Sequence, residues 1–262
     1  MLDEAMRRKK RSFMELLRDL ENEKALPTIY FCFSRLLTQK KAEALQSKKN
    51  YLTSKESMIV AKLIREKIDA ADPAVRSLRT TQLLRECLQK GIAFHHAGVL
   101  AVLKELVEEL FSAGFVKVLF ATETFAVGIN MPAKTVCFDS LEKFDGINFR
   151  YVTSKEYFQL AGRAGRRGID TKGLVVTLVE RNFADIPRMK RITQGDSEPL
   201  ESQFKLSYNT ILNLIHSHTL EQQKIILESS FYSYQKEGKS GSQQIMHSFM
   251  KRKKKLMDEG HI

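Results

Sequence analysis

The sequence predicts an α/β fold built on a parallel β-sheet. Short apolar runs of the kind that parallel sheets bury, such as residues 116–121 and 135–138, alternate with longer segments of helical apolar spacing. Strands that alternate with helices form parallel sheets with right-handed crossovers. With 43% apolar side chains in 262 residues, the chain can bury one good core and a small appendage.

The predicted elements follow in order along the chain. Residues 1–26 place apolar side chains at helical spacing among charges, and Pro27 ends that helix. Ser154 is expected to cap a helix that turns Tyr157 and Phe158 inward. Strands are predicted to begin at Thr28 and to cover residues 92–94, 116–121, 135–138 and 174–179, the last being central in the sheet. Helices are predicted over residues 38–47, 53–70, 74–90, 100–111 and 208–217.

Composition narrows the class of protein. The formal charge of +12 suits a phosphate-rich partner, although basic clusters at residues 7–11 and 251–255 are by default solvated. Three widely spaced cysteines form neither a disulfide framework nor a CxxC metal pair, so we expect buried thiols in a reducing cytoplasm. The start lacks the apolar stretch of a signal peptide and no run is long enough to span a bilayer, so no membrane partner is expected.

The segment over residues 159–168 is the most informative feature of the chain. It places Arg163 and Arg166 three apart in a turn punctuated by glycine. At that spacing two side chains lie on one side of a helical turn, and guanidinium groups bind phosphate bidentately. The segment alone is also compatible with a basic loop on a nucleic-acid backbone or with a solvated helix end.

A polar loop follows the strand predicted over residues 116–121. Ligands of open α/β sheets bind at the carboxyl ends of strands. The loop side chains therefore placed to meet a ligand are Thr122, Glu123, Thr124, Gly128 and Asn130.

Four segments, in this order, resemble motifs IV, IVa, V and VI of superfamily-two helicases. They are residues 28–35 (TIYFCFSR), 95–98 (HHAG), 121–133 and 159–168. Their amino-acid sequences resemble those of the superkiller-type group of exosome-associated RNA helicases. The resemblance implies a RecA-like helicase C-terminal domain over residues 27–192, after a connecting helix or linker over residues 1–26. It implies an exit segment towards a winged helix over residues 193–235, followed by a basic, frayed tail over residues 236–262.

The resemblance also implies roles for individual residues. Arg166, as the principal finger, and Arg163 would reach the γ-phosphate of ATP, and Gln159 would help to order the nucleotide and the attacking water. Gly128 and Asn130 match positions near the ribose or phosphates. The residues implied to contact nucleic acid are Ser34, Arg35, His96, Gly98, Thr122 and Glu123.

Several of these residues have alternative interpretations. Gln159 is also compatible with a polar residue at the N-terminal part of a helix, Asn130 with a residue that stabilises a turn, and Glu123 equally with a brace to an arginine. The adjacent pair at His95 and His96 lacks the i, i+4 spacing of a zinc helix, so we expect no metal site there. The stretch that in some relatives includes a strand-separating β-hairpin varies here at residues 139–141 and 147–149.

The chain contains no phosphate-cradling loop and no acidic metal-binding motif of a first motor domain. Residues 238–240 (GKS) follow no apolar strand, and Ser233 stands where the loop needs its first glycine. Residues 3–5 (DEA) have too little chain before them to form the strand that presents such a motif. We therefore expect ATP and Mg²⁺ to bind mainly to a first RecA-like domain in the same or another chain, and this chain alone to be inactive.

The expected function is that of the C-terminal motor domain of an ATP-dependent RNA helicase, with 3′ to 5′ movement implied by the resemblance. The expected partners are single-stranded RNA or a duplex with an overhang, and an RNA-degrading complex. Two alternatives are a DNA helicase of the same superfamily and a non-catalytic RNA-binding adaptor.

Overall fold

Two compact units divide the chain, residues 1–197 and residues 198–262. The computed structural model describes residues 12–126, 131–180, 184–195, 202, 204, 206–235 and 238–260. The division after residue 197 leaves residues 193–197 of the predicted exit segment in the first unit and places the rest of that segment in the second unit with the predicted tail.

The first unit is built on a five-stranded sheet in which every neighbouring pair of strands is parallel. This confirms the predicted α/β class. Its strands are β1 (Thr28–Phe31), β2 (Ile92–His95), β3 (Val118–Ala121), β4 (Thr135–Phe138) and β7 (Leu174–Thr177). In the sheet the strands lie in the order β2-β3-β1-β4-β7. The prediction that the last strand is central is wrong, since β7 pairs only with β4 among the described strands and none of its residues is fully buried.

Helices surround this sheet. They are α1 (Phe13–Asn22), α2 (Arg35–Gln46), α3 (Ser54–Ile64) with a π-helical turn (Arg65–Asp69), α4 (Pro73–Ser77), α5 (Arg79–Leu88), α6 (Ala101–Ser112), α7 (Ser154–Ala161) and α8 (Ile186–Gln194). The helix predicted over residues 74–90 is broken at Leu78, whose backbone is extended. Because α5 buries Leu84, Cys87 and Leu88 while α4 buries no residue, no common apolar face holds the two helices on one axis.

The start of α7 also differs from the prediction by one residue. Thr153 is the N-cap, and it forms a capping box with Glu156. Tyr157 is buried as expected, but Phe158 lies 46% exposed beside it. The capping box fixes the rotation of α7, so only the face that carries Tyr157 and Leu160 reaches the core.

Helix α1 packs on the sheet through the apolar face that the sequence indicates. Leu16, Leu17 and Leu20 are buried. The ring of Phe13 lies edge-on to that of Phe120, and Lys41 of α2 lies 4.2 Å above the Phe13 ring. Helix α1 is therefore held against the sheet and α2 by the burial of apolar side chains and by a cation–π contact.

The second unit is helical, with α9 (Tyr208–Ser217), α10 (Leu220–Glu228), α11 (Phe231–Gln235) and α12 (Gly238–Asp258). The prediction of a frayed tail from residue 236 is wrong over α12. Ile245, Phe249 and Leu256 are sparse in a basic sequence, yet they are buried in a core shared with Ile211 and Leu227. Composition misses such a helix because its few apolar residues are informative only through their common face. Of the described helices, none is both long and apolar enough to cross a bilayer.

Candidate functional site

Three neighbouring strands end in loops at the carboxyl edge of the sheet. Phe31 and His95, the last residues of β1 and β2, both pair with Ala121, the last residue of β3. The loops that follow therefore lie side by side, and we call them the rim. The rim contains Ser34, Arg35, His96, Gly98, Thr122 and Glu123.

The exposed part of the rim is the amino end of α2. Ser34 is the N-cap, where its hydroxyl accepts a 3.4 Å hydrogen bond from the N–H of Leu37, and Arg35 begins the first turn. Both residues are exposed. A Cβ on Gly98 would lie 3.2 Å from the His96 ring, so glycine allows the backbone of this loop to pass close to that ring. An arginine beside free helix N–H groups suits an anion.

His96 supports the rim from inside. It is 2% exposed, and its Nδ1 accepts a 3.0 Å hydrogen bond from the N–H of Gly98. The other ring nitrogen, Nε2, lies 2.9 Å from Nε2 of the Gln39 side-chain amide. Burial, aided by the charge of Arg35, lowers the pKa of His96 to about 4. The ring is thus neutral at physiological pH and serves to fix the loop.

The two rim residues after β3 are engaged within the protein. The Thr122 side chain is buried, its hydroxyl lies 2.9 Å from that of Thr124, and its N–H donates to the carbonyl of His95. Glu123 accepts a 2.6 Å hydrogen bond from Lys143. The expectation that Glu123 braces an arginine is wrong in its partner, since the partner is a lysine, and neither side chain is arranged to bind a phosphate directly.

The chain between β3 and β4 links the two edges of the sheet. Because β3 and β4 both run parallel to β1, this segment leaves the carboxyl edge at Thr122 and reaches the amino edge before Thr135. Its end is bonded to the arginine segment: Ala133 donates to the carbonyl of Arg163 over 2.9 Å, and Gly165 donates to the carbonyl of Ala133 over 2.7 Å. The arginine segment therefore lies at the edge opposite the rim.

Arg163 and Arg166 do not lie on one helical turn. Helix α7 ends at Ala161, and Gly165 between the two arginines has a φ of +90°. That left-handed conformation is accessible to glycine and strained for other residues. The backbone between the two arginines is therefore not helical. The prediction of a common helical face is wrong, and the two guanidinium groups are presented by separate turns.

Arg166 is held side-on by Asp170. Its Nε donates to Oδ2 over 2.7 Å and its Nη2 donates to Oδ1 over 2.9 Å, while its backbone N–H also donates to Oδ2 over 3.0 Å. The Asp170 side chain is 5% exposed, and that of Arg166 is 28% exposed. The hydrogen bonds from Arg166 lower the pKa of Asp170 to about 2, so the pair stays charged across the physiological range.

Gln159 and Arg163 share the end of α7. Gln159 is exposed on the last turn, and Arg163 is half-buried one turn later, with its N–H bonded to the carbonyl of Leu160. This brings two of the predicted catalytic residues together. Gly128 and Asn130, the predicted contacts to the nucleotide, lie outside the described residues.

Sequence reasoning missed Lys143, a buried lysine on the short hairpin formed by β5 (Glu142–Phe144) and β6 (Phe149–Tyr151). Its ammonium group lies 2.6 Å from Glu123 and 2.8 Å from Glu156, and Glu156 also binds Arg150 over 2.8 Å. One cation thus joins the hairpin, the rim and α7. No local signal marks it, because its partners are distant in sequence.

The same hairpin carries an exposed apolar tip. The Phe144 and Phe149 rings lie 5.4 Å apart, and both are more than half exposed. Ile147 in the turn is 83% exposed. Residues 147–149, which the sequence resemblance marked as varying, thus form the turn and the far strand of this hairpin.

The adjacent histidines diverge. His95 Nε2 lies 3.0 Å from Glu108 of α6, whereas His96 is turned to Gly98 and Gln39. Over the described ranges, no group of three or more His, Cys, Asp and Glu side chains is arranged to hold a metal ion.

The family described as "Helicase conserved C-terminal domain" matches residues 59–168. Exosome RNA helicase MTR4 of Homo sapiens is 42% identical over 211 residues, which are 80% of this chain and 20% of that protein. Antiviral helicase SKI2 of Saccharomyces cerevisiae is 40% identical over 217 residues, 83% of this chain and 17% of that protein. Superkiller complex protein 2 of Mus musculus is 40% identical over 232 residues, 88% of this chain and 19% of that protein. The chain thus spans about one fifth of the length of the curated relatives it matches.

Proposed function

Because the chain belongs to the superkiller-type group of superfamily-two helicases and carries its helicase C-terminal domain, we propose that it is the second RecA-like motor domain of an ATP-dependent RNA helicase. In the assembled enzyme, the arginine turns complete an ATP site on a first motor domain. The rim holds the backbone of one RNA strand. The movement would run 3′ to 5′, as in the resemblance on which the proposal is built.

One observation carries this proposal: a single covalent segment joins the rim to the arginine turns. It begins at Thr122, beside the rim, and ends at Ala133, which exchanges hydrogen bonds with Arg163 and Gly165. We propose that this segment couples events at one edge of the sheet to the other edge. A motor needs such a link, since nucleotide turnover must change the grip on the strand.

At the nucleotide edge, the proposed roles follow the geometry. Arg166 offers a guanidinium that Asp170 already orients, and Arg163 offers a second one from the neighbouring turn. Charge that builds on the transferred phosphoryl group is stabilised by such groups. The exposed Gln159 lies on the same end of α7 and would orient the attacking water. Gly128 and Asn130 remain the proposed contacts to the ribose and phosphates.

At the rim, the proposed contacts to RNA come from Ser34, Arg35 and the loop at Gly98. Hydroxyl, guanidinium and backbone N–H groups of this kind bind the phosphates of a nucleic acid rather than the edges of its bases. We therefore propose that the rim binds RNA without sequence preference. His96, Thr122 and Glu123 act there through the loops they fix, because their side chains are buried or paired.

ATP fits the arginine turns, since its polyphosphate requires cationic groups that donate hydrogen bonds. We propose that the ligands of Mg²⁺ come from the first motor domain, and that the isolated chain binds RNA weakly and hydrolyses almost no ATP. The names of the relatives refer to the exosome and the superkiller complex. We therefore propose an RNA-degrading complex as partner and, from the three free cysteines, a reducing compartment such as the cytoplasm.

The test uses an enzyme that contains both motor domains. Arg166→Ala should lower RNA-stimulated ATP turnover by about 10³-fold, and Arg163→Ala by a comparable amount, with RNA affinity within about threefold of the unchanged enzyme. Arg167→Ala is the matched control, because Arg167 is exposed in the same segment. Its turnover should stay within about twofold, as expected for a group outside the reaction.

Three outcomes would contradict parts of the proposal. Unchanged turnover in Arg166→Ala and Arg163→Ala would favour the RNA-binding adaptor. Stronger stimulation by single-stranded DNA than by RNA would favour the DNA helicase. Robust RNA-stimulated ATP hydrolysis by residues 1–262 alone would show that no second lobe is needed.

A further inference from the structure

We propose that Asp170 is a positioning residue for Arg166, holding the back of the guanidinium so that its opposite edge faces the γ-phosphate of ATP. This inference rests on the proposed function and assigns a role to a residue outside the ten-residue arginine segment.

The pairing geometry decides which donors remain for a ligand. Asp170 takes the Nε–H and one N–H of Nη2. Both N–H groups of Nη1 and the second of Nη2 are left on the far side, and among the described residues no acceptor is bonded to Nη1. That far side is the fork that binds phosphate bidentately. An arginine so held loses little side-chain entropy when a phosphate arrives.

Asp170 is itself fixed. Its N–H donates to the carbonyl of Arg166 over 2.9 Å, and Gly168 between them has a φ of +78° that closes the turn. Beyond the turn, Gly173 packs so tightly that a Cβ there would lie 2.5 Å from the carbonyl oxygen of Ala164. The carboxylate is thus presented by a rigid turn, and a 5% exposed side chain keeps water from competing for the pair.

Two roles for the pair are separable. If Asp170 orients Arg166, removing its charge lowers catalysis. If Asp170 instead holds Arg166 away from the nucleotide, removing its charge raises catalysis. The buried carboxylate favours orientation, since it takes one edge of the guanidinium and leaves the donors of the opposite edge for a ligand.

The test is a double-mutant cycle in the enzyme with both motor domains. Asp170→Asn should lower kcat for RNA-stimulated ATP hydrolysis about 10- to 100-fold while KM for ATP stays within about threefold. In an Arg166→Ala background, Asp170→Asn should have no further effect, because its role acts through the missing guanidinium. A merely structural aspartate would lower both backgrounds alike. A rise in kcat, or an equal loss in both backgrounds, would overturn the inference.

A second measurement needs no variant and no ATP. In the 262-residue chain, the Nε–H of Arg166 should exchange with solvent at least about tenfold more slowly than that of the exposed Arg167, because it is bonded and shielded. Equal exchange would overturn the inference even if Asp170→Asn fails to fold. If Arg166→Ala keeps full turnover while the exchange difference holds, the proposed finger fails and the pair remains only structural.

Discussion

The ammonium group of Lys143 lies 2.6 Å from the carboxylate of Glu123, although the lysine residue is 9% exposed. Burial of a lysine is costly, and here Glu156 supplies a second carboxylate at 2.8 Å. The ion pair between Lys143 and Glu123 links the hairpin to the rim. The second ion pair, between Lys143 and Glu156, links both to α7, the helix that precedes the arginines.

Lys143→Met should destabilise the 262-residue chain by about 1–3 kcal/mol, less than the loss of a fully buried ion pair because Glu123 is partly exposed. Glu123 would then lose its 2.6 Å contact with an ammonium group, and Glu156 would keep only its ion pair with Arg150. Lys155→Met is the control, because Lys155 is exposed on α7, and it should change stability by less than about 0.5 kcal/mol. Urea unfolding followed by circular dichroism measures both. Equal stability of the two variants would contradict the bracing role of Lys143.

Acid should weaken the same network through Glu156. Hydrogen bonds from Arg150, followed by that from Lys143, lower the pKa of Glu156 to about 2. Since the folded-state pKa lies below the ordinary value of about 4.3, the stabilisation is complete above that value. It is lost as the pH falls towards 2.

Glu156→Gln should therefore flatten the dependence of unfolding free energy on pH between about 4.5 and 2, and lower stability at pH 7. The control is Glu105→Gln, an exposed residue of α6, which should leave the slope close to that of the unchanged chain. Urea midpoints at a series of pH values measure the slope. A slope unaltered by Glu156→Gln would show that other carboxylates govern the acid response.

Gly173→Ala should disturb the arginine turns. The added Cβ would lie 2.5 Å from the backbone carbonyl of Ala164 and 2.6 Å from the nitrogen of Gly165, and backbone atoms cannot step aside as a side chain can. Overpacking of this kind costs about 1–3 kcal/mol or shifts the backbone. In the enzyme with both motor domains, ATP turnover should fall by at least about tenfold, because a shift of about 1 Å in the position of a catalytic arginine has an effect of this size or larger.

Gly114→Ala provides the comparison for Gly173→Ala. A Cβ at Gly114 meets nothing within 4 Å, and its φ of +78° alone should cost about 1 kcal/mol. It should therefore lower the unfolding midpoint and leave turnover unchanged. If both glycine variants lose turnover equally, the loss reflects global stability rather than the position of the arginines.

Local patterns were sufficient to place the strands β1 to β4, because buried parallel strands are continuous apolar runs. They could not show that β7 is an edge strand, since that depends on which strands pair. The sequence was sufficient to predict that Arg163 and Arg166 lie in a turn. It was not sufficient to predict that Gly165 between them adopts a left-handed conformation. Glycine spacing shows only that such a conformation is available, and the contacts with Ala133 select it.

The inward-facing charges were the least predictable part of the site. Lys143 lies in a short hairpin strand between Glu142 and Phe144, and a lysine there would be expected to expose its side chain to solvent. Its partners Glu123 and Glu156 lie 20 and 13 positions away in the sequence, so only the tertiary fold brings them together. Asp170 is different, because its i, i+4 spacing from Arg166 is a pattern that a sequence reader can use.

The cysteines should be unreactive while the first unit is folded. Cys32, Cys87 and Cys137 are all buried, and burial raises the pKa of Cys87 and of Cys137 to about 12. Few thiolates are therefore present at pH 8, and reagent reaches them only through opening. Labelling with a chromogenic disulfide reagent should be at least about 10³-fold slower than for a free thiol, and all three should react in guanidinium chloride.

Ser34→Cys supplies the matched control for this labelling. Its thiol would lie on the exposed rim at the amino end of α2, so it should react about as fast as a free thiol. Excess single-stranded RNA should slow that one site if the rim is the RNA contact, and leave the slow labelling of the three buried cysteines in place. Rapid stoichiometric labelling of a natural cysteine would contradict the packing of β1, α5 or β4, depending on which residue reacts. Labelling of Ser34→Cys that RNA leaves unaffected would contradict the rim as the surface that holds the strand.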